Sequence, residues 1–560
     1  MRSQRETLVS RKFCTVPSRR LGLVGLASIL IALGCGGNGM TSPPPPPPPD
    51  FRLTVTAVFS QTSVSVQPGT TSVPVTVSVS GMNGFTGSAV VSIAGLPVGA
   101  TTNPALPLSL GANSSQQFTV TTIAGTPTGD SSLALQAISG SITHTANFTL
   151  SSDPAPQTSQ SGNILYLESY SSSHTARIGL DLSLGGSIVE LSLDGTNFVN
   201  MHDAGREVQS SVFDGAGTYD TCSGCSGNFG WNPSLAGDAY GNGSPVLGQQ
   251  VTTDSLYVKT QPLQWYPDNK GGNASDPIVS DTYIEQTVSV VPGAPLAFQL
   301  HLKLTHFGTD LHYNVIQEFP SSHLNGTNGT LYYYSGTAPW TRDTVNSEKV
   351  PANPGPIDLY VPELWAAMVD SNGMGMTLFL PAQAPWDFAQ SFSGGDGNGP
   401  TSYATNYLRP RLAFTLGPNA VIQDDAYLLA GDYSTSRDAI YGLHQVLPPT
   451  VDVFPPFGNL DLISPTISGN SVTISGWAID DTAVSGVQVF VDGQLNGNAT
   501  YGINNAGIQQ YLPNAPVNCG WTYTLDSTRL ANGTHVITVQ ARDPSNNLAI
   551  FPPVAVTVSN

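Results

Sequence analysis

The feature that most constrains the fold of this 560-residue chain is a period-two alternation of apolar and polar residues. It recurs along most of the chain, for example in residues 51–58 (FRLTVTAV), 72–80 (SVPVTVSVS) and 142–150 (ITHTANFTL), with turn residues between the segments. Such alternation predicts strands with one buried face. The chain is therefore predicted to be all-β and, at this length, multidomain. The one helix that the pattern favours lies near residues 436–446 (SRDAIYGLHQV).

Breaks rich in proline and serine divide the chain. They lie at residues 41–50 (TSPPPPPPPD), 152–162 (SDPAPQTSQSG) and 448–458 (PPTVDVFPPFG). Such stretches are typical of linkers. The predicted organisation is a leader (1–34), a tether (35–50), a β-sandwich (51–152), a large β-sandwich (163–449) and a C-terminal β-sandwich (459–560).

The N-terminal residues predict export. Six basic residues precede an uncharged apolar run at residues 21–34, which is too short to span a bilayer comfortably but suits a signal peptide. The run ends in Ala32-Leu33-Gly34-Cys35, which resembles the lipobox of bacterial lipoproteins. The resemblance implies lipidation of Cys35 and anchorage to the outer membrane or the cell surface, with a periplasmic orientation left open. The alternative is an ordinary secretory signal that contains a cysteine.

The residues after Cys35 are suited to a tether. A Gly/Ser-containing stretch leads into an unbroken proline run at residues 43–49, which favours an extended, semi-rigid spacer. A lipid anchor, a tether and then a folded domain form a physically consistent order.

The charge of the chain excludes some partners. Residues 1–34 hold six basic residues and one acidic residue, so the remainder carries 13 basic and 37 acidic residues, a formal net charge of −24. An acidic surface argues against nucleic acid, anionic membrane surfaces and polyanionic polysaccharides as partners. A neutral carbohydrate and the membrane reached through Cys35 remain the expected partners, and the oligomeric state is open.

Cysteine usage agrees with an oxidising compartment. Beyond Cys35, only three cysteines remain, and Cys222-Ser-Gly-Cys225 lies in loop-like sequence. A redox pair or half of a metal site are alternatives, but no helix follows and no further ligands lie nearby. A local disulfide between Cys222 and Cys225 is therefore predicted. Cys519 is predicted to be a buried single cysteine.

The flanking blocks resemble bacterial immunoglobulin-like modules. The C-terminal resemblance is the clearer one and rests on residues 472–480 (VTISGWAID), 485–502 (SGVQVFVDGQLNGNATYG) and 519–547. Alternating valines lead into Asp492-Gly493, which predicts a tight hairpin turn. Trp477 is predicted to pack between the sheets. The resemblance implies a role as spacer or stalk.

The central block, residues 163–449, is the segment long enough to carry a separate function. Segments such as ILYLES, SIVELSLDG and LAFQLHLKLTH predict a large two-sheet sandwich. It resembles the galactose-mutarotase-like supersandwich of carbohydrate-active proteins, and the resemblance implies that the block engages carbohydrate.

Five of the seven tryptophans lie in this block, together with residue types that suit a neutral sugar. Flat aromatic faces stack on sugar C–H groups, and planar polar side chains bind hydroxyls. The alternative for each aromatic residue is packing in the core. The predicted ligand-binding residues are Trp231, Asn232, Asp238, Trp265, Tyr266, Trp365 and Arg409, and further candidates are Trp340, Trp386, Tyr403 and Tyr407.

Catalysis is the more speculative hypothesis. A glycosidase needs two carboxylates, for which Asp203, Glu207, Asp238 and Glu318 are candidates. A lyase or epimerase needs an acid and a base, and mutarotase-like enzymes imply a His–Glu pair such as His312 with Glu318. The alternative for Asp203 and Arg206 is a salt bridge that holds a turn. The residues singled out for catalysis are His202, Asp203, Arg206, His312 and Glu318, and His306 and Tyr266 are alternatives.

Three hypotheses follow from the sequence. The chain is a surface protein that binds or processes carbohydrate, a structural or adhesive protein without activity, or a polysaccharide lyase or glycosidase; binding without catalysis is favoured. No metal site is predicted and no cofactor is expected, except that the oxygen-rich loop 214–220 could hold Ca²⁺, although its oxygens follow no known loop pattern.

Overall fold

The structure is a computed structural model. It describes residues 45–214, 231–267, 276–350, 357–359, 361–381, 386–392, 399–410, 413–448, 452–480, 482–510, 512 and 515–560. Cys35, Cys222, Cys225 and the loop 215–220 lie outside these residues. No helix in this part of the chain is long and apolar enough to cross a membrane.

The N-terminal module is a sandwich of two sheets, with strand orders β1-β3-β7-β5 and β2-β9-β8-β4-β6. Side chains alternate between buried and exposed along the longer strands, as period-two sequence dictates, and the buried set forms one core around Phe51, Val77 and Phe118. The strands are β1 (Asp50–Ala57), β2 (Ser63–Val66), β3 (Val75–Met82), β4 (Ser88–Ala94), β5 (Thr101–Asn103), β6 (Leu108–Gly111), β7 (Ser114–Thr121), β8 (Gly129–Ser139) and β9 (Ile142–Ser152).

The central domain is built from two large sheets. The front sheet has 13 described strands and runs β10-β11-β12-β13-β15-β22-β29-β28-β25, with β14, β16, β19 and β30 paired beside this path. Its strands are β10 (Gln157–Ser161), β11 (Ile164–Tyr170), β12 (Thr175–Asp181), β13 (Ser187–Leu193), β14 (Thr196–Asn197), β15 (Val208–Asp214), β16 (Pro233–Ser234), β19 (Leu263–Gln264), β22 (His312–Asn325), β25 (Ile357–Leu359), β28 (Trp386–Phe392), β29 (Thr405–Pro410) and β30 (Ala413–Leu416).

The back sheet has nine described strands in the order β17-β18-β20-β21-β31-β27-β26-β23-β24. These strands are β17 (Val246–Val251), β18 (Ser255–Thr260), β20 (Thr282–Val291), β21 (Ala294–His306), β23 (Thr330–Tyr333), β24 (Asn346–Lys349), β26 (Trp365–Val369), β27 (Met374–Phe379) and β31 (Val421–Asp432). One apolar core joins the two sheets, with Ile178 and Leu408 from the front sheet and Leu300 and Leu428 from the back sheet.

The helix α1 (Tyr433–Val446) covers the outer face of the back sheet and confirms the helix predicted near residues 436–446. Asp432 caps it, because its side chain accepts hydrogen bonds from the backbone N–H groups of Ser434 and Thr435. The helix thus covers the outer face at β26, β27 and β31, whereas exposed side chains such as His301 on β21 remain on the rest of that face. The front sheet keeps one face free of the shared core, and this face carries the cavity described below.

The C-terminal module is a second small sandwich, with strand orders β32-β34-β38-β37 and β33-β41-β39-β35-β36, and with β40 paired to β39. Val487, Val489 and Val491 are buried, and Asp492-Gly493 has positive φ at both residues, as predicted. The strands are β32 (Phe457–Leu460), β33 (Thr466–Ile467), β34 (Val472–Ile479), β35 (Gly486–Val491), β36 (Gln494–Asn498), β37 (Thr500–Ile503), β38 (Gly520–Leu525), β39 (Gly533–Arg542), β40 (Leu548–Ile550) and β41 (Val554–Val558).

The tryptophan in the core of this module is Trp521, and the prediction for Trp477 was wrong. Trp521 is 1% exposed and belongs to the main cluster of the module, whereas Trp477 is half-buried and contacts Phe457 beside that core. Cys519 is buried with a free thiol, as predicted.

Both flanking modules share apolar side chains with the central domain. Phe59 of the N-terminal module packs with Ala294 and Leu443, and it lies so close to Gly442 of α1 that a Cβ there would meet the Phe59 ring at 2.4 Å. At the other end, Phe454 belongs to the central core. The segment 448–458, which was predicted as a linker, therefore contains a residue packed in the central core.

Candidate functional site

A cavity of about 310 Å³ opens on the face of the front sheet that points away from the shared core. Strands β15, β22 and β29 form its floor, because Val212, Phe319 and Leu408 point into the core and their neighbours point outward. The described residues that line it are Gly205, Gln209, Ser211, Val212, Phe213, Asn232, Pro233, Ser234, Trp265, Glu318, His323, Tyr407 and Arg409.

A charged pair lies on the floor of the cavity. Ser211 on β15 is directly opposite Glu318 on β22, and its Oγ donates a hydrogen bond to Glu318 Oε2 at 3.1 Å. The Arg409 guanidinium donates to Glu318 Oε1. Burial raises the pKa of Glu318, but the charge of Arg409 and the other favourable contacts, including the hydrogen bonds from Ser211 and Ser321, together hold the pKa below its ordinary value. The carboxylate is therefore ionised at neutral pH and balanced by one cation.

A buried imidazole lies beside this pair. His323 on β22 is opposite Tyr407 on β29, and the two rings stack with centroids 5.1 Å apart. His323 is 8% exposed, and its buried Nδ1 makes no hydrogen bond with any described residue. Burial lowers the pKa of His323 to about 4, so the imidazole is neutral at physiological pH. A neutral imidazole keeps both a donor and an acceptor nitrogen.

An aromatic wall borders the cavity. Trp265 is half-buried and lies against Gly205, where a Cβ would meet the indole ring at 2.4 Å. The Trp265 backbone N–H donates to the Asn232 carbonyl, and the Asn232 backbone N–H donates to Gln264 Oε1. The two wall segments are thus tied together, and the approach of the ring depends on glycine at residue 205.

The cavity brings together four of the sequence-predicted residues, namely Asn232, Trp265, Glu318 and Arg409, and also the further candidate Tyr407. Sequence reasoning missed His323 and Ser211. Neither carries a motif, and their relevance depends on the pairing of β15, β22 and β29, which are far apart in sequence.

Three predicted catalytic residues lie in the turn next to the cavity and do not line it. His202 Nδ1 contacts the Thr401 carbonyl at 2.8 Å, and Arg206 donates to the Tyr403 carbonyl. Asp203, half exposed, is 3.4 Å from Arg206 Nε. These contacts hold the turn that carries Gly205.

Glu207 at the end of this turn is fully buried, and neither of its carboxylate oxygens has a hydrogen-bond partner among the described residues. Burial raises the pKa of Glu207 well above its ordinary value. Glu207 does not line the cavity.

The remaining predicted residues lie elsewhere. Trp231 and Trp365 are fully buried, so neither ring presents a face to solvent. Trp231 stacks on His312, whereas Trp365 donates to Glu363. Asp238 accepts hydrogen bonds from the backbone of its own loop. Tyr266 contacts the edge of Trp265 and does not line the cavity. Trp340 stacks on His444. The Trp386 side chain lies outside the described part of the chain.

Comparisons with known proteins agree with the fold class. A family described as a bacterial Ig domain matches residues 463–539. The chain is therefore all-β and multidomain, with an Ig-like domain at its C-terminal end, as predicted. A search of the curated proteins finds no match.

The solved structures show distant similarities. A polysaccharide lyase aligns over 72% of this chain at 9% identity with a TM-score of 0.28, and the chain spans about half (47%) of that lyase. The titin I-band fragment I67–I69 aligns over 92% of this chain and 99% of its own at 6% identity, with a TM-score of 0.15. Escherichia coli alpha-2-macroglobulin aligns over 91% of this chain and 44% of its own at 10% identity, with a TM-score of 0.14.

Proposed function

We propose that this chain is an exported bacterial lipoprotein whose central domain binds a neutral carbohydrate in the front-sheet cavity. The single observation that carries the binding proposal is the convergence of an aromatic wall, a balanced ion pair and a buried neutral imidazole in one cavity. About 310 Å³ is within the range of small-ligand sites and suits one or two sugar rings.

The polar groups of the cavity match the needs of hydroxyl groups. Glu318 is a pure acceptor, Arg409 is a pure donor and neutral His323 offers one of each. The buried Nδ1 of His323 lacks a partner in the described chain, and such a group is costly unless a ligand or water pairs with it. A sugar hydroxyl can both donate and accept, so it can satisfy any of the three side chains.

The charge of the cavity favours a neutral ligand. Among the described lining residues, Glu318 and Arg409 are the one acid and the one fixed cation, and they pair with each other. An acidic polysaccharide would need a surplus of cations, because burying an uncompensated carboxylate is unfavourable. The formal net charge of −19 for the whole chain also disfavours binding of an acidic polysaccharide.

The exported location rests on the N-terminal sequence and on the C-terminal domain. The basic leader, the apolar run and Cys35 form a lipoprotein signal, and the matched family is one of bacterial Ig domains. Lipidation at Cys35 would place the central domain on the outer membrane or the cell surface. Metabolic labelling with a fatty acid tests this part, since Cys35→Ser should abolish the label and Cys14→Ser should not.

The experiment for binding is a neutral-glycan array with the full chain, followed by calorimetry on the strongest hit. Trp265→Ala should weaken binding by roughly two- to tenfold, because an aromatic contact contributes about 0.5–1.5 kcal/mol beyond its buried area and about 1.4 kcal/mol is tenfold. Trp340→Ala is the matched control, since Trp340 stacks on His444 and does not line the cavity. Equal loss in both variants, or no binding by the wild type, would refute the proposal.

One observation supports a second candidate function. A neutral imidazole in a cavity can accept a proton, which is the first step of a sugar lyase or an epimerase. A glycosidase is less well supported, because the described lining contains one carboxylate instead of two. If an array hit is also turned over, His323→Gln should abolish turnover and leave binding within about threefold of wild type, since Gln retains a donor and an acceptor.

A further inference from the structure

Two histidines and two aspartates meet at one end of the central domain, outside the cavity. One nitrogen or oxygen of each of Asp281, His306, Asp310 and His312 lies within 4.8 Å of the others. We propose that these four residues form a binding site for a divalent transition-metal ion, and that Zn²⁺ is the ion best suited to it.

The strand pairing creates the cluster. His306 is the last residue of β21 and His312 is the first residue of β22, so the short connection between these strands carries both imidazoles and Asp310. Asp281 directly precedes β20, where Thr282 is opposite His306. Three ligands therefore come from one turn and the fourth from the neighbouring strand.

A glycine keeps open the space between the ligands. A Cβ on Gly308 would lie 2.3 Å from Asp281 Oδ2, 2.4 Å from His306 Nε2 and 2.7 Å from Asp310 Oδ1. Any side chain at residue 308 would therefore fill the space onto which three of the ligand atoms face. Glycine at this position therefore allows the connection to pass close to the ligand atoms.

The orientation of His306 requires a positive charge among the four residues. Its Nδ1 is 2.8 Å from the Gly417 carbonyl, which can only accept, so Nδ1 carries the proton. Nε2 then points at two carboxylates, 3.3 Å from Asp281 Oδ2 and 3.4 Å from Asp310 Oδ1. Nε2 therefore needs a positive charge beside the two carboxylates, which either a second proton on the imidazole or a bound cation supplies.

Two separations at His306 match those around a tetrahedral ion. His306 Nε2 is 3.3 Å from Asp281 Oδ2 and 3.4 Å from Asp310 Oδ1, whereas His312 Nε2 is 3.4 Å from the other oxygen of Asp310, Oδ2. Bonds of about 2.0–2.1 Å in a tetrahedron place neighbouring ligand atoms roughly 3.3–3.4 Å apart. Two imidazoles favour Zn²⁺ over Ca²⁺ or Mg²⁺, which prefer oxygen ligands in larger number.

Outer contacts hold the ligands in place. Trp231 Nε1 donates to Asp281 Oδ1 at 2.7 Å and leaves Oδ2 facing the other ligands. The same indole stacks on His312 with ring centroids 4.1 Å apart. Contacts of this kind to the far side of a ligand are typical of protein metal sites.

The site is structural in character. Four protein ligands leave no open position for a substrate. His312 is also six residues from Glu318 on β22, which corresponds to roughly 20 Å along a strand. The ion would tie the ends of β20, β21 and β22 to Trp231, and Trp231 precedes Asn232 in the cavity wall. Metal binding at this site does not depend on what the cavity binds.

The test uses the untagged full chain, dialysed against a chelator and then titrated with ZnCl₂. The background carries Cys222→Ser and Cys225→Ser, so that this closely spaced cysteine pair does not compete for the metal. We expect about one equivalent of bound zinc by elemental analysis and a higher melting temperature with zinc. Cobalt in place of zinc should give the intense visible absorption of a tetrahedral site.

Single substitutions locate the ligands. His306→Ala and His312→Ala should each lower zinc affinity at least about 100-fold. Loss of a contact to the far side of a ligand already lowers metal affinity by about 10- to 100-fold, and loss of the ligand itself should cost at least as much. Asp310→Asn serves if those variants fail to fold, because the Asp310 side chain is half exposed and the change is isosteric. His301→Ala is the matched control, since His301 lies on the same strand and contacts one carboxylate, Asp425.

Two results would overturn the proposal. One is a wild-type chain that binds no stoichiometric zinc, which would leave a protonated, hydrogen-bonded His–Asp cluster. The other is zinc binding that Asp310→Asn and His306→Ala do not weaken, or that His301→Ala weakens equally.

Discussion

The Glu318–Arg409 pair allows a quantitative test of the cavity, through the substitution Glu318→Gln. The two side chains are 19% and 15% exposed, respectively. Removing one partner of a fully buried pair costs about 3–5 kcal/mol, whereas exposed pairs contribute about 0–1 kcal/mol. With this partial burial we expect the free energy of unfolding to fall by about 2–3 kcal/mol, because Arg409 keeps its charge and loses the Glu318 carboxylate.

The double variant separates the pair interaction from the loss of each side chain. Combining Glu318→Gln with Arg409→Met should lower the free energy of unfolding by about 1–2 kcal/mol less than the sum of the two single changes. The double variant contains neither charge of the pair, so no coupling between them remains to be lost twice. The assay is denaturant unfolding monitored by calorimetry. The free energy of unfolding of the central domain is compared between the variants. Asp438→Asn is the control for a more exposed pair with Arg342, and it should cost less than about 1 kcal/mol.

The pH dependence adds a second readout. Because the native pKa of Glu318 lies below its ordinary value of 4.5, its stabilisation is present above that value and is lost as the pH falls through the native pKa. The difference between wild type and Glu318→Gln should therefore shrink on acidification. Strict additivity of the two single changes, or a difference that grows at low pH, would refute the reasoning.

Three further predictions concern buried groups. Glu207→Met should stabilise the protein at pH 7 by about 1–3 kcal/mol, because it removes a buried carboxyl group with no hydrogen-bond partner among the described residues. Denaturant unfolding measures the change, and a destabilised variant would contradict the prediction. Gly205→Ala should displace the Trp265 ring, which the added Cβ would meet at 2.4 Å, and unchanged ligand affinity and indole fluorescence would argue against that contact. Burial, with nearby acids such as Asp543 adding to it, raises the pKa of Asp452 to about 6. Stability should therefore fall as pH rises from about 4 to 6, since the native state binds the proton more tightly, and Asp452→Asn should flatten that slope in melting curves recorded across this range.

Local patterns were sufficient to predict the secondary structure. Alternation identifies the strands, and Asp492-Gly493 identifies a hairpin turn, because both depend on neighbours in sequence. The choice between Trp477 and Trp521 depends on which face of paired strands points inward. Trp521 is opposite Gly476, and a Cβ there would meet its ring at 2.5 Å, so the large side chain occupies the space that glycine leaves.

The cavity could be predicted only in part. Trp265, Glu318 and Arg409 were recognisable as residue types that suit a sugar, but nothing local indicates that they share a cavity. Their convergence depends on the register of β15, β22 and β29, which pairs Ser211 with Glu318 and His323 with Tyr407. A shift of one residue in a strand would turn these side chains into the core.

The packing of Phe59 and Phe454 affects how this protein can be divided. Phe59 fills a depression over Gly442, and Phe454 completes the central core from the C-terminal side. A fragment cut at residues 163 and 449 would expose one apolar depression and leave a gap where Phe454 belongs, and such surfaces promote aggregation. Dissection of this chain, in the laboratory or by recombination in evolution, should therefore succeed only where the cut fragments retain residues 58–59 and 452–454 together with the central sandwich.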